Sequence, residues 1–338
     1  MSVAAAEVTI ETKDASIQKE KTTTRTIGYG GSVLATVAGF AVALAIHFLI
    51  PNVQEVDGRV YRSLLAALIV GYGLYGIIVA KNSERREAYV ERVKFRFAMG
   101  IVLAVWDVLS TKTGILPLPF FPGPAQITSI YLVDTAFLVS NTLFSIRLFA
   151  AGFLAGVVLG VGTGILMGWF AKVHYWVFPP LKITGVIPAV AWMPFALTVL
   201  PSSFLAGVFI IAISAWFSVA FMTAQGIATT HKVYYEVAKT LGGNSRFLLV
   251  HVALPNAVPF IFNGISTAMG VGFTTLVVSE MMGAKGGLGY YINWAKAWAS
   301  YDKVYAAIII MAILFSIIMK AVGTLEDRLT IWQKGITK

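Results

Sequence analysis

The chain has no cysteine and little charge: Asp, Glu, Lys and Arg make up 12% of its 338 residues, about half the roughly 25% of a soluble domain. Without cysteine there is no disulfide framework and no thiolate metal site. The four histidines, His47, His174, His231 and His251, are scattered without metal-ligand spacing. They are expected at interfaces or on polar faces, and no metal is expected. No Gly-Lys dipeptide occurs, which excludes the G-x-x-x-x-G-K-[ST] loop that cradles phosphates. Gly71-x-Gly73-x-x-Gly76 matches a dinucleotide fingerprint only as a string, inside an apolar run with no strand before it. Packing is the better reading, and no catalytic residue is expected.

What the chain has in plenty is apolar length. Hydrophobic residues make up 57%, and mean hydropathy is +0.78. About eight stretches reach the roughly 20 residues needed to cross a bilayer, near 28–50, 62–80, 96–116, 141–170, 182–200, 203–225, 257–280 and 304–323. An all-α membrane protein is expected. The fifth stretch is broken by Pro188, Pro194 and Pro201. Residues 1–26 are polar, rich in Thr, Lys and Glu, and read as a disordered cytoplasmic tail.

The net charge of +10 follows membrane topology, so nucleic acid is not an expected partner. Most of the 26 lysines and arginines fall on one side when both termini are cytoplasmic. That side holds the group from Lys81 to Arg96 and the polar insert after Ala228. Glycines 152, 156, 160, 164 and 168 recur every four residues, which clears one helix face for close packing. Asp107 and Arg147, both in apolar segments, are expected to snorkel or to pair with each other. Glu280 reads as a structural or gating group.

The insert from Glu236 to Pro259, EVAKTLGGNSRFLLVHVALPNAVP, is too patterned for a plain turn. Glu236 and Lys239 lie one helical turn apart, and Gly242-Gly243 breaks the helix. A second short amphipathic piece follows, and Leu254-Pro255 opens the next apolar helix. Two short helices across the membrane face would make a rigid knob, suited to docking on another protein.

Here the residues resemble a known family. Glu236-Val237-Ala238, three residues, Gly242, nine residues and Val252-Ala253-Leu254-Pro255 follow the ABC-importer permease motif E-A-A-x3-G-x9-I-x-L-P. Val237 and Val252 are its mild departures. The likeness runs on through PNAVPFIFNGISTAMG and VVSEMMGAKGGLGYYI, and upstream through Trp106-Asp107 and LPLPFFPGPAQI. It looks closest to the branch importing nitrate, sulfonates, taurine or bicarbonate. The resemblance implies a type I importer domain over 95–338, with 27–94 as two added transmembrane helices and a basic loop. It implies a coupling loop at 226–256 that fits a cleft on a partner ATPase through Glu236, Ala238, Gly242, Gly243, Leu254 and Pro255. It also implies a second permease copy as a homodimer, two cytoplasmic ATPases carrying ATP and magnesium, an external solute-binding protein, and a place in the inner membrane.

Irregular backbone at membrane depth is tolerated only where it is buried in protein or lines a cavity. GVIPAVAWMPF, residues 185–195, is such a segment, and Trp192, Met193, Thr198, Thr274 and Thr275 are the candidates for lining a pathway. Tyr290, Tyr291, Trp294 and Trp298 suit an interfacial aromatic belt, in a loop that in this family faces the binding protein. Two other classes stay open. An ion-driven secondary transporter would show repeat symmetry and paired intramembrane carboxylates, for which the sequence offers little. A non-transporting scaffold would leave the insert without a purpose.

Overall fold

The computed structural model describes residues 28–54 and 56–331, and every regular element among them is helical. The tail expected at 1–26 lies outside the described residues, as do Lys334 and Lys338. The chain forms two compact units that meet in sequence at Ser129 and Ile130.

The first unit contains α1 (Tyr29–Leu49), α2 (Arg59–Val79), α3 (Ser83–Glu91) and α4 (Val93–Asp107), the last continued by a π-helical turn over Val108–Lys112. α1 crosses α4 where Gly39 meets Gly100, and a Cβ on Gly39 would lie 2.9 Å from the Phe97 carbonyl. Phe40, Ala43, Tyr61, Leu65, Ala104 and Ala125 form its core. The basic stretch expected on the cytoplasmic side is α3 and the start of α4, where Arg96 lies over the Tyr72 and Tyr89 rings.

At the other end of α1, His47 is buried and its Nδ1 lies 2.9 Å from Asp107 Oδ2. This corrects one expectation: Asp107 pairs with a histidine sixty positions earlier rather than with Arg147. Lys112 Nζ donates to the carbonyls of His47 and Ile50 and to Asn52 Oδ1, at 2.8, 2.6 and 2.6 Å. It thereby satisfies carbonyls left open at the C-terminus of α1, where the helix dipole favours a cation.

The second unit begins within α5 (Pro124–Val133) and is built on α6 (Thr135–Trp169). α7 (Ala171–Val186) follows, then a 3-10 turn over Ala189–Trp192 and α8 (Met193–Val199). α9 spans Ser203–Ala228 and α10 Lys232–Thr240. α11 runs unbroken over Ser245–Met282, and α12 (Leu288–Ala297) and α13 (Tyr301–Leu329) complete the unit. The glycine ridge of α6 faces α9 throughout. A Cβ on Gly156 would lie 2.6 Å from the Ala212 carbonyl, and one on Gly164 2.7 Å from that of Ala220. Backbone therefore packs on backbone, the arrangement small residues permit in lipid. Phe149, Phe153, Ile211, Val219, Met269 and Leu276 fill the core beside this seam.

Among the described residues, six helices are long and apolar enough to cross a membrane, seven if the bent pair is counted as one span. That pair, Ala171–Val186 and Ala189–Val199, turns through 97° and takes the place of the stretch expected at 182–200. Proline pushes the residue before it out of helical geometry, and Ile187 is extended at φ −80° and ψ 121°. The stretch expected at 96–116 is α4 with its π turn, which carries Lys94, Arg96, Asp107 and Lys112.

Candidate functional site

The insert after α9 folds as the sequence spells it for its first half. α10 ends in a Schellman motif: Gly243 N–H donates to Ala238 O at 2.8 Å, and Gly242 N–H to Lys239 O at 2.9 Å. Gly242 stands at φ +86°, where side chains are disfavoured, and a Cβ on Gly243 would lie 2.7 Å from Ala238 O. The glycine of the motif is thus the left-handed residue that turns the chain. Ala238 is buried beneath the turn. Asn244 Oδ1 then accepts Phe247 N–H at 2.9 Å and starts the next helix.

The second half differs from expectation. The piece from Ser245 is no separate short helix but the first turns of α11. Pro255 lacks an N–H and its ring would crowd the carbonyl four residues back. A π-helical stretch over Leu248–Ala253 precedes it, and Leu254 N–H reaches back five residues to Leu249 O. The helix widens past its proline instead of starting at it. Leu254 and Pro255 therefore lie inside a continuous rod. Asn256 Nδ2 fastens that rod to the end of α9, donating to Gly226 O at 3.2 Å and to Thr230 Oγ1 at 3.0 Å.

Around this knob the surface is both charged and oily. Glu236 and Lys239 are exposed, and they line a cleft of about 720 Å³ with Trp169, Lys232 and Tyr235. Val233, Tyr234, Val237 and Leu241 are exposed on α10, with Leu241 83% accessible. Tyr234, Val237, Leu241 and Phe247 border a second groove of about 410 Å³. Large apolar side chains exposed together in this way suit a docking surface.

The pathway candidates separate. Met193 and Thr275 are buried, Trp192 is half-buried with no partner for its Nε1, and Thr198 and Thr274 are exposed. Thr274 belongs to a stripe the sequence reading missed. Asn263, Thr267, Gly270 and Thr274 are exposed along one face of α11, at the four-three-four spacing that aligns residues on a helix. That spacing was a usable signal. Polar groups against lipid are costly, so this stripe fits a face turned to a water-filled passage.

At the far end of α11, side chains hold α12 in place. Glu280 Oε1 accepts Ser145 Oγ at 2.7 Å, and Oε2 accepts Gly289 N–H at 2.8 Å. Farther along, Tyr291 donates to Asp134 Oδ2 at 2.9 Å, and Lys303 Nζ lies 2.7 Å from the same oxygen. Of the belt residues, Tyr291 is buried and Trp298 exposed.

Burial works to raise the pKa of Asp134, but the hydrogen bonds from Lys303 and Tyr291 outweigh it and hold the carboxyl below its ordinary value. A depressed folded-state pKa stabilises above the unfolded value of about 4 and loses that contribution as pH falls through the folded pKa. Asp134→Asn is therefore expected to cost about 1 kcal/mol at pH 7, or roughly 2–4 °C in melting temperature. The gap from the unmodified protein should close below about pH 4. Melting curves across pH check this, and a constant gap would refute it.

Comparison with known proteins bears on most of the second unit. The family described as "binding-protein-dependent transport system inner membrane component" matches residues 156–331. The putative aliphatic sulfonates transport permease protein SsuC of Bacillus subtilis is 30% identical over 237 residues, 70% of this chain and 86% of its own. The nitrate import permease protein NrtB of Synechococcus elongatus is 28% identical over 272 residues, 74% of this chain and 94% of its own. Among solved structures, an inward-facing MetNI methionine ABC transporter shares the fold at a TM-score of 0.52 and 19% identity. That match covers 59% of this chain and 98% of that one.

Proposed function

Because the chain belongs to the binding-protein-dependent inner-membrane component family of transport systems, we propose that it moves a small anion of the nitrate, sulfonate, taurine or bicarbonate kind. It is a multi-pass inner-membrane permease of an ABC importer. Two copies enclose the passage, and an external binding protein delivers the solute. ATP and magnesium reside on two partner ATPases, which grip the knob from the cytoplasm. Both termini lie on that side, and the permease domain is 95–338, with 27–94 an addition to it.

The observation that carries the coupling role is the Schellman turn of α10. It presents Val233, Val237 and Leu241 to a partner on a support fixed by backbone hydrogen bonds. Glu236 offers a carboxylate to a basic group on that partner. As the ATPases close, the knob moves with the rod that follows it, and the passage opens alternately to the two sides. The passage itself runs along Asn263, Thr267 and Thr274 with Trp192 and Thr198. The Asn263 amide can donate to an anion as it stands. The three hydroxyls donate to carbonyls of their own helices and the Trp192 Nε1 is buried, so these groups reach an anion only by turning towards it.

Reconstitution with the ATPases and binding protein tests this. Uptake of one of these anions should require ATP and be blocked by vanadate. Alanine at Asn263, Thr267 or Thr274 should raise the apparent Km several-fold, about 1 kcal/mol for each lost hydrogen bond. Uptake driven by an ion gradient without ATP would favour the secondary-transporter reading. Unchanged affinity in all three variants would remove the stripe from the passage.

A further inference from the structure

The knob and α12 occupy opposite ends of one helix. α11 is 38 residues long, about 57 Å at 1.5 Å per residue, with Asn244 capping one end and Glu280 close to the other. What Glu280 holds there is the start of α12. The first N–H groups of a helix have no partner within it, and here three of them go to side chains from two other helices. Asn141 Oδ1 accepts Gly287 N–H at 2.9 Å, Ser145 Oγ accepts Leu288 N–H at 2.8 Å, and Glu280 Oε2 takes Gly289 N–H. Ser145 also donates to Glu280 Oε1, so α6, α11 and α12 share one network.

All three side chains are buried, Glu280 and Ser145 at 1% and Asn141 at 3% exposure. The fit leaves no slack. A Cβ on Gly287 would overlap Glu280 Oε1, and one on Gly289 would lie 2.5 Å from the Val277 carbonyl. Buried hydrogen bonds of this kind are costly to break, because each freed group stays out of water. Leu288, Tyr291, Ile292 and Ala295 are buried as well, so α12 cannot swing freely about its first turn.

We propose that Glu280 is a positioning residue that makes α12 travel with α11, so that displacement imposed on the knob appears at the opposite end of the bundle. The inference rests on the coupling role argued above. Its chemical demand is two acceptors aimed at two helices. Glutamine meets most of it, since its oxygen can take Gly289 N–H while its amide donates to Ser145, whose oxygen has a second lone pair. Aspartate is one methylene too short, and alanine offers nothing. A residue used for its charge, to gate or to bind a cation, would fail as glutamine too.

The test uses the full transporter in lipid, with its ATPases, as Glu280→Gln, Glu280→Asp and Glu280→Ala. One readout is amide exchange over residues 287–292. The other is the change in distance between copies, on ATP plus vanadate, of spin labels at Asn293→Cys or at Thr240→Cys, the latter exposed at the end of α10 and outside both grooves. The unmodified protein and Glu280→Gln should protect the amides and move both label pairs. Glu280→Asp and Glu280→Ala should exchange about tenfold faster, the scale of one lost buried hydrogen bond. They should lose the movement at residue 293 and keep it at residue 240. Full movement at 293 in Glu280→Ala, or failure of Glu280→Gln alongside it, would overturn the clamp. A stationary Thr240→Cys pair in the otherwise unmodified protein would overturn the coupling role and this inference with it.

Discussion

Gly242→Val is expected to cut uptake by roughly tenfold or more while the permease still reaches the membrane in normal amount. Gly242 stands at φ +86° and donates its N–H to Lys239 O. A left-handed conformation costs an ordinary side chain about 1–2 kcal/mol, and more for one branched at Cβ. A shift of 1.4 kcal/mol is a factor of ten in an equilibrium, so the turn should relax to another geometry in most molecules. Leu241 and Val237 would then leave the arrangement that α10 imposes on them. The spans themselves would be untouched, because nothing lies within 4 Å of a Cβ at this position.

Asparagine, which tolerates the left-handed region, makes Gly242→Asn the control that should keep most of the activity. Glu236→Ala should uncouple as well, though less severely, since an exposed carboxylate contributes little until a partner desolvates it. Uptake measured beside ATPase co-purification and membrane abundance separates docking from folding. Full uptake by both Gly242→Val and Glu236→Ala would contradict the coupling role.

Gly156→Leu should fail at an earlier stage, by leaving little folded protein. A single added carbon would already sit 2.6 Å from the Ala212 carbonyl and 2.8 Å from the Ala215 side chain. Neither backbone can retreat without parting α6 from α9 along the ridge. Overpacking of this kind costs about 1–3 kcal/mol even for modest additions, and four added carbons exceed that. Gly162 on the same helix has nothing within 4 Å, so Gly162→Ala should be neutral. Melting temperature and abundance after solubilisation read the difference. Equal behaviour of the two variants would remove the ridge as a packing seam.

Much of this was legible in the sequence because the signals are local. Apolar length marks spans, four-residue glycine spacing marks a seam, and E-V-A-K-T-L-G-G contains the whole helix ending, glycine at the left-handed position included. Pro188 marked the broken span for the same reason. Pro255 misled, because proline reads as a helix start, whereas the chain passes it with a π-helical stretch that has no composition of its own. The cluster of His47, Asp107 and Lys112 was invisible, since partners sixty or more residues apart leave no pattern in one sequence. Asn263 and Thr267 were readable by period, lying eleven and seven residues before Thr274 in an otherwise apolar helix.

The oily strip of Val233, Tyr234, Val237 and Leu241 bears on how much of this subunit a cell can make. On the coupling role proposed above, a copy produced without its motor would carry that strip bare in water, where chaperones and proteases recognise such surfaces. Supply of the motor would then set the lifetime of the channel, and the two would accumulate in fixed proportion whatever their rates of synthesis.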